Sequence, residues 1–473
     1  MITRTLDQVR QMVAGKLPSL EWGQITISGV TIDSRNVAQG QLYIPIKGDR
    51  FDGHQFAKDA IKKGAAACLW QQDKPLPEEG FPVILVPDTE KALQKLAATY
   101  AKEVGAKIIG ITGSNGKTST KDILCSILKT TFITHGTAGN LNNQLGVPLT
   151  LLAMGQDTEV AVVEMGMSAL GDIRLLCEIT APDIAILTNA TDVHINDLGS
   201  EENILKAKME IAQGLKKGGL LVHYGDSQPL RTAVQNLKRP ILSQSFGEAS
   251  HNHWVVTFVS QGADGVVFKI GTPSNEATFH IDMLGRHQIF NGAAAVAVAR
   301  YLGLSDTVIQ KSMERIEKTG LRNELMQAEH FHILNDTYKS NAISLQAALE
   351  TLYSMAGYTQ KILVLGDMFG TGDDEIQRHQ KLGESFDPEQ IDHLFTIGQL
   401  GEHFGIGAKT RFPAHRIHHC QTKEQLVDAI IKVLKPGAIV LMKASRIMAL
   451  EEAAEALMKK GAASVNTIDK DKK

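Results

Sequence analysis

The chain has 473 residues, 43% hydrophobic and 21% charged, with 42 glycines against 14 prolines and no low-complexity tract; that composition excludes a fibre or a disordered tail, and at roughly 150 residues per domain it predicts about three globular domains. With 49 Lys and Arg against 52 Asp and Glu the formal net charge is -3, so no global basic field recruits nucleic acid or an anionic membrane, and an anionic ligand must be captured by local geometry. Cys68, Cys125, Cys177 and Cys420 lie far apart with no CxxC pair, the opening MITRTLDQVRQMVAG lacks the apolar core of a signal peptide, and no run approaches the roughly 18 apolar residues of a membrane span. A cytosolic protein without a membrane span or a nucleic-acid partner is expected.

Residues 1–102 mix short strand-like runs, ITISGVTIDSR and QLYIPIKG, with a helical stretch from about His54 to Lys63 and the apolar ACLW after it, the pattern of a small α/β module. The chain breaks near Lys102 to Gly105. AKIIGITGSNGKTSTKDILCSIL then runs from an apolar strand through a glycine turn into an amphipathic helix, the nucleotide-binding unit of a parallel sheet. Buried-strand patterns recur at VAVVEMG, DIAILTNA and LLVHYG, a polar β-rich stretch spans His251 to Leu284, and an Ala-rich helix from Gln288 to Leu302 follows, placing a central domain at 103–316. From about Leu321 a new alternation begins: HFHILNDTY, a helix through Leu352, KILVLGDM, HLFTIG and GAIVLMKAS, then an Ala/Glu/Lys-rich helix from about Ala449 to Lys460. It predicts a second open α/β sheet over 317–473.

Thr112, Gly113, Ser114, Asn115, Gly116, Lys117, Thr118 and Ser119 sit between strand and helix. There a glycine-rich turn lets backbone N–H groups wrap a phosphate at the positive helix end, Lys117 reaches the outer phosphates and Thr118 can hold Mg²⁺. Strict Walker spacing would put a glycine at Ile111; TGSNGKT is a variant of a narrower set of ATP enzymes. Glu164 ends the strand VAVVE, and His194 follows DIAILTNA across a short loop. Carboxyl ends of neighbouring strands converge on the ligand crevice of an open sheet, so both fit a metal beside the phosphate loop, although each read alone is equally a surface residue. Lys208, fourteen residues beyond His194, reads on periodicity alone as a solvated helical lysine.

Together these pieces resemble the Mur ligases, and within them the branch that adds D-alanyl-D-alanine to UDP-N-acetylmuramoyl-tripeptide in peptidoglycan precursor synthesis. The resemblance spans nearly the whole chain, through TIDSRNVAQGQLYIPIKGDRFDGHQFAKDAIKKGAAA, GITGSNGKTSTK, GNLNNQLGVPLTLL, VVEMGMSALGDI, TNATDVHINDLGSEENILKAKMEI, GRHQIFNGAAA, GLRNE and LGDM. It implies three α/β domains: an amino-terminal module for the uridine nucleotide, a central P-loop ATPase-like parallel sheet, and a carboxy-terminal Rossmann-like domain that receives the amine. It also implies roles. Asp33, Ser34 and Arg35 match the motif near the UDP end, and Asn140, Asn142 and Asn143 the loop facing the sugar-peptide, though asparagines also serve turn geometry alone. Lys117 would hold the transferring phosphate, while Thr118, Glu164 and His194 would arrange two Mg²⁺. Lys208 matches a lysine that the family carbamylates with CO₂, which turns a cation into an oxygen ligand. His287 and Asn291 match the adenine-side helix, with Gln288 where asparagine is usual. Arg322 matches an interdomain arginine, and Asp336 a carboxylate near the ribose. ATP, Mg²⁺, UDP-N-acetylmuramoyl-tripeptide and D-alanyl-D-alanine are thus the implied cofactors and partners of a monomer acting through an acyl phosphate.

Departures from the family pattern cluster in the last domain. Its DxYNAxP-type loop reads here Asp336-Thr337-Tyr338-Lys339-Ser340-Asn341-Ala342; KASRIM replaces KGSRGM, putting Ala444 and Ile447 for two glycines; and Gly-Thr-Gly stands in the stretch after LGDM where Glu-Leu-Gly is usual. They leave open a different dipeptide or depsipeptide acceptor, or a homologue that binds nucleotide without full catalysis. A folylpolyglutamate synthase is disfavoured by the DSR and DGH segments. His415, His418, His419 and Cys420 suggest a soft-metal cluster, but adjacent His418 and His419 would point to opposite faces of a strand, as in an ordinary surface segment.

Overall fold

Two periodicities set the architecture: residue runs buried on both sides, and helices with one apolar stripe between them. The computed structural model describes all residues except 49–50, 78–79, 192–194, 273–274, 371–373 and 469–473. It divides into two compact units, the first formed by Met1–Ala190, Leu205–Trp254 and Ala294–Ser312, the second by Thr191–Ile204, Val255–Ala293 and Met313–Lys473. Among the described residues no helix is long and apolar enough to cross a membrane.

In the first unit Thr3–Thr5 pairs antiparallel with Thr26–Ser28, and four short parallel strands, Val30–Thr31, Leu42–Tyr43, Ala67–Gln71 and Val83–Val86, lie side by side in chain order. The run ITISGVTIDSR therefore serves two sheets, divided at Gly29, and QLYIPIKG contributes only Leu42–Tyr43 before Pro45, which has no N–H for a ladder. The helix Thr89–Val104 starts at Asp88, whose side chain accepts from the Lys91 N–H, and ends at Gly105. Its stripe Leu93, Leu96, Ala97 and Tyr100 is buried, and the Tyr100 hydroxyl donates to the Met154 carbonyl at 2.9 Å.

The larger sheet of this unit orders its parallel strands Leu242–Gly247, Leu220–Tyr224, Ile184–Leu187, Lys107–Thr112, Val160–Glu164 and Thr134–Gly136. Ile108, Ile109 and Ile111 are at most 3% exposed, so both faces of the central strand are covered and each isoleucine contributes about 1.5 to 3 kcal/mol by burial. Thr134–Gly136, at the sheet's edge, and Leu242–Gly247, which ends the parallel run, carry no run of apolar residues that would mark them in sequence.

The second unit contains the antiparallel strands Trp254–Gly262, Gly265–Thr272 and Asn275–Ile281, apart from Trp254 itself, which fill the polar stretch after His251. Its own sheet runs Glu324–Gln327, Phe331–Asp336, Ala438–Lys443, Gln360–Leu365, His393–Ile397 and Ile417–Cys420, parallel except for the first pair. Alternate residues feed two cores. Leu363, Leu365, Ile439 and Leu441 join one, and Ile362, Val364, Val440 and Met442 join the other. The Ala-rich carboxy-terminal helix, Glu451–Ile468, buries Ala453, Ala454 and Leu457 in the second of these.

Candidate active site

The strand Lys107–Thr112 delivers the phosphate loop to the start of the helix Lys117–Leu128. Gly113 has φ +150°, and a Cβ there would lie 1.9 Å from Thr188 Oγ1, so a side chain is excluded both by conformation and by contact. The loop is clamped from the neighbouring strand end: the Thr188 hydroxyl donates to the Asn115 carbonyl (2.6 Å), Asn115 N–H donates to Asn189 Oδ1 (2.9 Å), and Ser114 N–H donates to the Asn189 carbonyl (3.2 Å). Thr112 Oγ1 donates to the Met165 carbonyl at 2.9 Å. Lys117 Nζ folds back over the loop and donates to the Gly113 carbonyl (2.7 Å) and the Ser114 carbonyl (3.3 Å). Ser119 is buried in the first helical turn.

One turn of helix places Thr118 against the end of the strand Val160–Glu164. The Thr118 hydroxyl donates to Glu164 Oε2 at 2.7 Å, and Asn142 Nδ2 donates to Glu164 Oε1 at 2.8 Å. Glu164 is 2% exposed and Thr118 1%, so this is a buried carboxylate satisfied by side chains from two other segments. Its backbone N–H donates to Thr137 Oγ1 (2.9 Å), and Lys121 Nζ donates to the Thr137 carbonyl (3.0 Å). The three asparagines separate in role. Asn142 reaches Glu164; Asn143 Oδ1 accepts from the Leu145 and Gly146 N–H groups and shapes the turn into the helix Gly146–Leu152; Asn140 is exposed.

Lys208 lies on the helix Glu201–Gly214 and is 1% exposed, so its solvated-surface reading gives way to a buried amine. Two residues on, the Glu210 carboxylate accepts from the Gly171 N–H (2.8 Å) and the Arg174 N–H (3.0 Å), capping the helix Asp172–Thr180. His194 lies outside the described residues. Among the described residues no three His, Cys, Asp or Glu side chains form a metal cage. The paired oxygens of Thr118 and Glu164 nevertheless suit Mg²⁺, a hard cation that takes one or two protein oxygens and completes its shell with water and phosphate.

In the amino-terminal segment Arg35 grips Asp33 with two parallel bonds, Nε to Oδ1 and Nη2 to Oδ2, both 2.9 Å. The hydrogen bonds from Arg35 hold the Asp33 carboxyl down at about 2. Lys63 Nζ donates to the Ser34 and Arg35 carbonyls at 3.0 and 3.1 Å, so a second cation steadies the turn.

In the second unit burial pulls the His287 imidazole down to about 4, Asp336 pulling the other way and Lys443 lowering it further, so the ring is neutral near pH 7. Asn291 Nδ2 donates to Gln288 Oε1 (2.8 Å) on the helix Gln288–Tyr301. Asp336, at the end of its strand, pairs with Lys443 Nζ at 2.5 Å, and the same ammonium donates to the Lys339 carbonyl at 2.9 Å. Arg322 stacks over Tyr338, 4.1 Å from the ring centroid, while its Nε is buried with no hydrogen-bond partner among the described residues. Leu321 (φ +67°) and Asn323 (φ +46°) flank it in the left-handed region, a strain of order 1 to 3 kcal/mol each.

Of the departures from the family pattern, Thr371 and Gly372 of the Gly-Thr-Gly stretch lie outside the described residues, and the others find their places. Ala444 is fully buried, Ile447 is 82% exposed and Lys339 is exposed. His418 faces His393 (Nε2 to Nδ1, 3.3 Å) and His419 faces Thr396 (3.0 Å), while Cys420 is buried; the segment's ligating groups diverge. Thr188, Asn189, Thr137, Lys121 and Lys443 were not singled out by sequence, and no spacing rule could have found them, because each acts on a segment distant in the chain.

Known proteins resemble this chain over nearly its full length. The Mur ligase middle domain matches residues 111–299, the glutamate ligase domain of the Mur ligases matches 321–446, and the Mur ligase catalytic domain matches 26–101. The UDP-N-acetylmuramoyl-tripeptide--D-alanyl-D-alanine ligase of Bacillus subtilis is 42% identical over 96% of this chain and 98% of its own length. A crystal structure of MurF from Acinetobacter baumannii superposes with a TM-score of 0.86 at 28% identity, covering 97% of this chain and 99% of that one. A structure of MurF ligase from Thermotoga maritima in complex with ADP gives a TM-score of 0.79 at 27% identity over 91% of this chain and 97% of that one. With a relative this similar over nearly its full length, and family domains along most of its length, the chain belongs to the Mur ligase family.

Proposed function

We propose that this chain joins the carboxylate of UDP-N-acetylmuramoyl-tripeptide to the amine of D-alanyl-D-alanine at the expense of ATP, through an acyl phosphate. The observation that carries this is the buried Thr118–Glu164 pair beside Lys117 in the phosphate loop, in a chain 42% identical to a ligase named for that reaction. A carboxylate oxygen is a poor leaving group. Transfer of the γ-phosphoryl group to it makes phosphate the leaving group; the amine then attacks the acyl carbon, loses a proton, and phosphate departs.

Lys117 would hold the transferring phosphate, whose charge spreads over its outer oxygens. Thr118, Glu164 and His194, with a carbamate formed from CO₂ on Lys208, would hold two Mg²⁺, which when bound neutralise phosphate charge. The Asp33–Arg35 turn with Ser34 would meet the UDP end, and Asn140, Asn142 and Asn143 the sugar-peptide. His287, Asn291, Asp336 and Arg322 would serve the nucleotide side.

The test is phosphate release from ATP with UDP-N-acetylmuramoyl-tripeptide and a panel of D-alanyl-D-X acceptors. Release should require tripeptide and acceptor together and be fastest with D-alanyl-D-alanine. Release without tripeptide, or with a folate substrate in its place, would overturn the proposal. A depsipeptide preferred over D-alanyl-D-alanine would support the second reading, motivated by exposed Ile447 and Lys339. Because Lys443 ties the Lys339 backbone carbonyl to Asp336, this turn lies beside the carboxylate proposed for the nucleotide side, and replacing the exposed ammonium in Lys339→Asn is expected to raise the KM for ATP about five- to thirty-fold, the range of one charge-assisted hydrogen bond, with the acceptor KM unchanged. The reverse pattern would place Lys339 at the acceptor's carboxylate.

A further inference from the structure

We infer that Asn142 couples occupancy of the sugar-peptide loop to the metal carboxylate: through the Asn142–Glu164 hydrogen bond, muramoyl-peptide and Mg²⁺-nucleotide each raise the other's affinity. The inference rests on the proposal that the loop faces the muramoyl-peptide and that Glu164 takes Mg²⁺.

Its basis is the way the two oxygens of one buried carboxylate are divided. Oε1 takes the Asn142 amide at 2.8 Å and Oε2 the Thr118 hydroxyl at 2.7 Å. Holding each oxygen by a different side chain fixes the carboxylate, with Oε2 bonded to Thr118 at the end of the phosphate loop. Asn142 cannot shift alone. Its carbonyl accepts from the Gly166 N–H at 2.7 Å, two residues past Glu164, and a Cβ on Gly166 would lie 2.9 Å from Asn142 Oδ1. The start of the same loop is tied to the same strand end, since the Glu164 N–H donates to Thr137 Oγ1, and to the helix behind the phosphate loop, since Lys121 Nζ donates to the Thr137 carbonyl. A ligand that settles the loop therefore settles the carboxylate, and a cation on the carboxylate settles the loop. Linkage makes the effect reciprocal.

The experiment is isothermal titration calorimetry on the full chain. The affinity for ADP with Mg²⁺ is measured without and with saturating UDP-N-acetylmuramoyl-tripeptide, and repeated with ADP in chelator. Wild type should bind Mg²⁺-ADP at least five-fold tighter in the presence of tripeptide, the lower end of typical coupling, and show no such gain when metal is removed. In Asn142→Ala the ratio should fall to about one, whatever the variant's affinity for each ligand alone. Asn142→Asp, equal in size, sets a second carboxylate against Glu164 and should also lose the gain; it serves where circular dichroism shows the alanine variant unfolded. Retention of the wild-type ratio in either folded variant, or a wild-type ratio of one with both ligands bound, overturns the coupling. So does an Asn142→Ala protein whose tripeptide affinity falls while Mg²⁺-ADP still binds tighter in the presence of tripeptide, which would make Asn142 a substrate contact only. A wild-type protein that binds neither tripeptide nor Mg²⁺-ADP would instead overturn the proposed function and the coupling with it.

Discussion

Lys117→Ala is expected to abolish measurable ligation, a loss of at least about 10² to 10³ in kcat, while the protein stays folded. The ammonium already lies over the loop, 2.7 Å from the Gly113 carbonyl and 3.3 Å from the Ser114 carbonyl. A phosphate cradled there would meet it at short range, and the charge it neutralises grows during transfer, so the loss should fall on kcat more than on the KM for ATP. The helix Lys117–Leu128 keeps ten buried residues, Thr118 to Leu128 apart from Cys125, and the clamp from Thr188 and Asn189 does not involve the lysine side chain. The melting temperature should therefore move little. Steady-state phosphate release together with a melting curve checks both halves; near-normal turnover would remove the phosphate-loop assignment.

Lys208→Ala is expected to be nearly as damaging, and the damage should be partly reversible by formate or acetate. Lys208 is buried at 1% exposure, and a carbamate there would be an oxygen ligand that a hard cation can share. Truncation to alanine leaves space for a small acid to restore that oxygen. Carboxylate-dependent recovery of phosphate release, absent in Lys117→Ala, separates loss of a ligand from general damage. An unmodified lysine in a well-resolved experimental map, together with an active alanine variant, would sink the carbamate.

Local chemistry was written in the sequence. A glycine turn between an apolar strand and a helix, with Lys-Thr at the helix start, is a contiguous stretch whose geometry follows from neighbouring residues, and Thr112 to Ser119 fold as their spacing predicts. The strands KILVLG and AIVLMK could be read because period-two alternation and continuous apolarity are properties of a few consecutive residues. Only the tertiary structure decided which partners those stretches acquire. Thr188 and Asn189 reach the phosphate loop across more than seventy residues, Asn142 rather than Asn143 reaches Glu164, and Lys443 finds Asp336 from the far end of the chain. Lys208 shows the same division: helical periodicity made it a surface lysine, and burial of its helix made it an interior amine. The physical reason is that spacing along the chain records which residues share a face of their own element. Which faces meet is set by how strands order in a sheet, an order that here departs from chain order in both open sheets.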